Sequence, residues 1–263
     1  MVRKAIQHAR GRRLTLAAAG LALAAAMAPC LAQDSATIER IKASIVAVGT
    51  FEPARNPQFS FAGTGFAVGD GSLIATNAHV LPKVLDSERN EAIAIAMRSG
   101  ESIAVRPAQR AAIDDSADLV LLKISGTALR PLALGKSDEV QEGELYLFTG
   151  FPIGAVLGLF PVTHRAMIAA ITPTVIPAAR AEQLDARAVR ALKRSAFHVF
   201  QLDGTAYPGN SGSPVYHPKT GQVVGIVNSV FVKGTKESAL SAPSGITYAI
   251  PARKLRELLE SSR

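Results

Sequence analysis

The chain has 263 residues, a formal charge of +8, one cysteine and 48% hydrophobic residues. Five of its basic residues and none of its acidic ones fall in the first 32 positions, so the remainder carries only +3. That residue of charge gives no general case for nucleic-acid binding. The one thiol, Cys30, lies in the same leading stretch, so disulfides are not what stabilises the rest of the chain.

In that leading stretch Arg3, Lys4, Arg10, Arg12 and Arg13 precede an alanine-rich apolar run from Leu14 to Met27. Cys30-Leu31-Ala32 then places small residues where a signal peptidase reads. The pattern predicts a signal peptide over 1–32, cleaved after Ala32, and a protein of the periplasm or secreted beyond it. The apolar run is shorter than the roughly 20 residues that span a bilayer, so no stable membrane span is expected after cleavage. Arg12-Arg13-Leu14-Thr15-Leu16 partly resembles a twin-arginine signal, which leaves both export routes open, and Pro29 before Cys30 argues against acylation.

From Thr37, residues Ile38, Ile41 and Ile45 recur at helical spacing and predict a short leading helix. Ile45 to Val48 is a first strand, and Glu52 to Phe61 a polar loop containing Phe59 and Phe61. Gly63 to Val68 and Leu73 to Thr76 form two strands joined by the turn Gly69-Asp70-Gly71-Ser72. Further short strands are expected over Ile93–Met97, Ile103–Val105, Leu119–Ile124, Leu145–Phe148, Met167–Ile171, His198–Leu202, Pro214–Tyr216, Val223–Val230 and Ile246–Ile250. Many short strands with Gly, Pro, Asp and Asn between them predict an all-β sandwich or barrel. Two helical patterns interrupt them. Ala178 to Ser195 carries Leu184, Ala188 and Leu192 on one face with Arg187, Arg190 and Arg194 elsewhere, and Leu255, Leu258 and Leu259 after Pro251 predict a closing helix.

Pro208-Gly209-Asn210-Ser211-Gly212-Ser213-Pro214 suits neither a helix nor a strand interior. Glycines here permit a tight turn whose backbone N–H groups converge, which can bind an oxyanion. Upstream, Thr76-Asn77-Ala78-His79-Val80 puts a histidine just after a strand, and Asp118-Leu119-Val120-Leu121-Leu122 puts a carboxylate at the mouth of another. Each feature alone has an ordinary structural reading. Together they run His, Asp, Ser, the order of one known solution to hydroxyl activation and not of the other two. No zinc-type ligand spacing or phosphate-binding glycine loop is present, and neither a metal nor a cofactor is expected.

These three motifs resemble those of trypsin-like serine peptidases, and the bacterial HtrA/Deg branch in particular. Gly63-Thr64-Gly65-Phe66, Gly150-Phe151-Pro152-Ile153-Gly154, Gln201-Leu202-Asp203 and Thr247-Tyr248-Ala249-Ile250-Pro251 add to the resemblance, which spans Ile45 to Pro251. It implies a peptidase domain over 33–263 with two six-stranded antiparallel β-barrels, about 38–130 and about 140–250, and a short C-terminal helix. It also implies a triad of His79, Asp118 and Ser211, with the N–H groups of Gly209 and Ser211 as oxyanion hole. Thr205 would form the base of the primary pocket, with Ala206 and Asn228-Ser229-Val230 on its walls. No acidic residue or histidine there suits a charged side chain, which points to small or medium aliphatic residues before the cut.

Three departures stand out. Ser213 replaces the branch's usual second glycine and Tyr207 its usual asparagine, and no PDZ domain is expected. Asn210 stands where digestive relatives have an aspartate that pairs with a new N-terminal amine. A neutral amide cannot make that pair, so activity is expected without a propeptide cut. Substrates would be unfolded or exposed protein segments, and Phe51, Phe59 and Phe61 leave a homotrimer open. Two other functions stay open at this stage: a chaperone-like binding protein that cleaves little, and an adaptor working through the basic 178–195 segment.

Overall fold

The computed structural model describes residues 35–100, 102–174, 197–228 and 245–262. The expected signal peptide, the helical pattern over 178–195, and Ser229 and Val230 lie outside the described residues. A helix over 35–42 (α1) leads into β1 (Ile45–Phe51), β2 (Phe59–Val68), β3 (Leu73–Asn77), β4 (Ala92–Ser99), β5 (Ser102–Asp114) and β6 (Leu119–Ile124). After a connecting segment come β7 (Leu145–Gly150), a one-turn helix α2 (Gly154–Leu157), β8 (Val162–Pro173), β9 (His198–Asp203), β10 (Pro214–Tyr216), β11 (Val223–Asn228), β12 (Ile246–Pro251) and α3 (Ala252–Ser261). The first six strands close into one barrel in the order β1-β2-β3-β6-β5-β4, and the last six into another in the order β10-β11-β12-β9-β8-β7.

Side chains alternate across a strand, and here both faces are needed. Val46 and Val48 with Val120 and Leu122 fill the interior of the first barrel. Their neighbours Ile45, Ala47, Leu119 and Leu121 turn outward into a layer shared with Leu147, Tyr216, Ile226 and Ile250 of the second barrel. Phe148, Ile168, Leu202, Val215 and Val227 fill the second interior. This explains why Leu119 to Leu122 is apolar without a break: one face lines a barrel and the other joins two barrels.

Both helices brace that joint. The Thr37 hydroxyl of α1 donates to the Lys219 carbonyl at 3.1 Å, tying the chain's start to the β10–β11 turn. At the other end α3 packs on β5 and β6 of the first barrel and on β11 and β12 of the second. Its backbone N–H at Arg253 donates to Ser137 Oγ at 3.1 Å, and the Arg253 guanidinium pairs with Asp138 at 2.7 Å.

Some boundaries differ from those expected. β2 begins at Phe59, inside the segment read as loop, because Phe59 and Phe61 stand opposite Phe51 and Gly49 in the β1 ladder. Both rings are half-buried against the shared layer, so two of the aromatics considered for assembly are used within this chain. β5 extends for 13 residues where only Ile103–Val105 was expected. Most of it is exposed or half-exposed and it carries a bulge between Arg110 and Ala112, so hydrogen bonding rather than apolar alternation defines it. Among the described residues no helix is long and apolar enough to cross a membrane.

Leu255 of α3 is fully buried in the layer between the barrels. Leu255→Ala is expected to lower stability by about 2–5 kcal/mol, read as a shift of the urea midpoint. A shift equivalent to under about 0.5 kcal/mol would show that α3 does not brace the joint.

Candidate active site

The antiparallel pairing of β3 with β6 sets Asn77 opposite Leu119 and Thr76 opposite Val120. The last residue of β3 therefore lies beside the first of β6, and the residues just beyond, His79 and Asp118, meet at one rim of the first barrel. His79 sits in a 3-10 turn over Ala78–Val80. Asp118 has φ +52°, a left-handed conformation that Asp tolerates better than most residues. Its backbone is pinned there: the Asp118 carbonyl accepts from Ala78 N–H at 3.1 Å and from Asn77 Nδ2 at 3.1 Å.

The Asp118 carboxylate then binds His79 twice. Oδ1 accepts the His79 backbone N–H at 2.9 Å, and Oδ2 lies 2.6 Å from His79 Nδ1. An ionised carboxylate only accepts, so Nδ1 carries the imidazole proton and Nε2 presents its lone pair. That Nε2 stands 3.0 Å from Ser211 Oγ, which comes from the second barrel. Histidine, carboxylate and serine, far apart in sequence, are brought within hydrogen-bond reach of one another in a single chain of contacts.

Around Ser211 the loop is a pair of tight turns. Asn210 N–H donates to the Tyr207 carbonyl at 3.0 Å, Ser213 N–H to the Asn210 carbonyl at 3.0 Å, and Gly212 N–H to the Val227 carbonyl at 2.9 Å. Gly209 has φ +100°, and a Cβ there would lie 2.3 Å from the Phe151 carbonyl oxygen. Glycine is required at that position on both counts. Phe61 and Phe151 meet edge-to-face at 6.1 Å beside it, and the Phe61 ring would also crowd a Gly209 Cβ.

The pocket residues fare differently. Thr205 and Ala206 lie half-buried in the segment leading to the serine loop, and Ala206 N–H donates to Thr247 Oγ1 at 2.9 Å. The Thr247 hydroxyl in turn donates to the Gly204 carbonyl, so this residue fixes the segment from β12. Asn228 was expected on a pocket wall. Its side chain is buried, 1% exposed, with Nδ2 donating to Asp118 Oδ2 at 2.7 Å. The reason is electrostatic: a partly buried carboxylate is stabilised by charge-assisted hydrogen bonds, and Asn228 adds a second donor to the Oδ2 that faces His79 Nδ1. Sequence reading missed this contact and that of Thr247, although both residues fall in segments it singled out.

The trypsin-like peptidase domain pattern matches residues 63–226, which includes His79, Asp118 and Ser211. This chain belongs to the trypsin-like peptidase domain family. It is 30% identical over 230 residues to the serine protease HTRA4 of Mus musculus, an alignment covering 86% of this chain and 40% of that protein. The mitochondrial serine protease HTRA2 of Bos taurus is also 30% identical, over 198 residues, covering 75% of this chain and 35% of that one. The chain thus spans about 40% of the length of such HtrA relatives. Among solved structures, a serine endoprotease from Yersinia pestis superposes with a TM-score of 0.60 at 22% identity, covering 87% of this chain and 66% of that one. The HtrA-type protease AlgW with tripeptide gives 0.60 at 23%, covering 87% and 62%. At those identities the structural likeness concerns the two-barrel fold of the family.

Because Gly209 has no room for a side chain, Gly209→Ala is expected to displace the serine loop of this peptidase domain without unfolding the barrels. Labelling of Ser211 by a fluorophosphonate should then slow by about 100-fold or more with an unchanged far-UV circular dichroism spectrum. Labelling at the wild-type rate would show that the loop tolerates the methyl group.

Proposed function

We propose that the chain is an exported serine endopeptidase that hydrolyses peptide bonds through a Ser211–His79–Asp118 triad and an acyl-enzyme. The observation that carries this reading is the 3.0 Å contact between His79 Nε2 and Ser211 Oγ, with Nδ1 committed to Asp118. A serine hydroxyl is a weak nucleophile at neutral pH and needs a base within reach. His79 takes the hydroxyl proton as Oγ bonds to the scissile carbonyl carbon, and the carbonyl electrons move onto oxygen. Backbone N–H groups of Gly209 and Ser211 stabilise that oxyanion. As it collapses, the C–N bond breaks and His79 returns the proton to the leaving amine. Water then attacks the ester by the same route, leaving a free carboxylate product and the Ser211 hydroxyl restored.

Asp118 keeps the imidazole in the reactive tautomer and steadies the imidazolium, and Asn228 supports Asp118 in that task. We assign Thr205 and Ala206 to the primary pocket, with small or medium aliphatic side chains before the cut. Unfolded or exposed segments of envelope proteins are the substrates we propose, in the periplasm or outside the cell, on the strength of the leading sequence and the peptidase reading.

The test uses an unfolded fluorescent protein substrate. His79→Ala and Ser211→Ala are each expected to lower its cleavage by about 10⁴-fold or more, and sequenced products should show aliphatic residues before the cut. Binding of the same substrate by the wild type with no cleavage, and no labelling of Ser211, would favour the chaperone-like alternative.

A further inference from the structure

The serine loop is held from outside at three successive places. Thr64 of β2, fully buried, donates its backbone N–H to the Ser211 carbonyl at 2.9 Å and its hydroxyl to the Gly209 carbonyl at 2.7 Å. The same hydroxyl oxygen accepts the Phe151 N–H at 3.1 Å, and the Thr64 carbonyl accepts the Thr76 hydroxyl at 2.7 Å. One step earlier in the loop, the Pro208 carbonyl accepts the Ile153 N–H at 2.8 Å. Ile153 has φ +49°, which a β-branched residue adopts only under strain, so the turn that presents this N–H is itself held against its preference.

These anchors bear on one peptide orientation. A trans peptide is planar, so its C=O and N–H point in opposite directions. Fixing the Pro208 carbonyl on Ile153 fixes the direction of the Gly209 N–H. Fixing the Gly209 carbonyl on Thr64 fixes the next peptide plane. Gly209, between the two, has no side chain and would otherwise be the most rotatable point of the loop. A hydroxyl has one hydrogen, and a carbonyl only accepts, so the Phe151–Thr64–Gly209 relay can run in one direction only.

We infer that the Thr64 hydroxyl is a positioning group for the oxyanion hole: by holding the Gly209 carbonyl it fixes the peptide plane after Gly209, so that the Gly209 N–H set by the Ile153 anchor and the Ser211 N–H keep their relative directions. This rests on the endopeptidase reading and goes beyond it by assigning hole geometry to a residue of the opposite barrel. Thr64 touches no substrate atom; it acts through Gly209.

The test compares Thr64→Val, which keeps the shape and removes the hydroxyl, with Thr64→Ser, which keeps the hydroxyl. On a short peptide p-nitroanilide, Thr64→Val is expected to lower kcat by about 10- to 100-fold with KM within about threefold. A peptide aldehyde, which forms an oxyanion on Ser211, should lose affinity by a similar factor, while the positions of the limbs of the pH–rate profile stay put. Thr64→Ser should restore both rate and aldehyde affinity to within about threefold of wild type. Should Thr64→Val not fold, Thr64→Cys, with its weaker donor, is expected to show the same paired loss in smaller degree. Wild-type rate and aldehyde affinity in a folded Thr64→Val or Thr64→Cys protein, or a lower melting temperature with neither loss, would overturn the role of Thr64. If Ser211→Ala also kept full activity, the endopeptidase reading itself would fall.

Discussion

Ser211 and His79 come from different barrels, and everything at this site depends on holding those barrels in register. A hydrogen bond of 3.0 Å between His79 and Ser211 weakens steeply with misalignment. The apolar layer between the barrels supplies the constraint. Ile45, Ala47, Leu119 and Leu121 meet Leu147, Tyr216, Ile226 and Ile250 in a shared packed interior, closed at one end by α3. Close-packed side chains resist both compression and sliding. The same strands that line the barrels thus fix the distance across the cleft.

Polar contacts refine what packing sets. Asn228 of the second barrel reaches Asp118 of the first at 2.7 Å, and Thr64 of the first reaches Gly209 and Ser211 of the second. These are partly buried, and hydrogen bonds strengthen and unpaired groups become more costly as water is excluded. Asp118 illustrates the economy of the arrangement. Its two carboxylate oxygens accept from His79 N–H, His79 Nδ1 and Asn228 Nδ2, so a single side chain orients the imidazole and links the barrels.

Much of this was legible in the sequence. The glycine and proline punctuation around Ser211 is a backbone requirement written in residue types, and Gly209 at φ +100° shows why. The Asp118-Leu119-Val120-Leu121-Leu122 run marked a strongly apolar strand, which is β6. The hairpin at Gly69 to Ser72 falls where its turn residues placed it. What was not legible has a common cause. The polar β5 lacks the alternation that marks a half-buried strand, and Phe59 sits in a segment whose composition reads as loop. The contact of Asn228 with Asp118 was hidden because position along the chain says nothing of which way a side chain turns. Thr64 stood in a quoted motif, but its partners lie 87 and 145 residues away, at Phe151 and Gly209. Contacts of that reach are properties of the fold.

In the proposed mechanism Ser211 becomes covalently acylated because His79 removes its proton. Rapid mixing of the purified protein with an activated p-nitrophenyl ester, followed by intact and peptide mass analysis, tests this most directly. A burst of nitrophenol of about one equivalent per active site is expected, with the acyl group on the Ser211 peptide and no burst in His79→Ala. A burst that persists in Ser211→Ala, or an adduct that maps elsewhere, would contradict it.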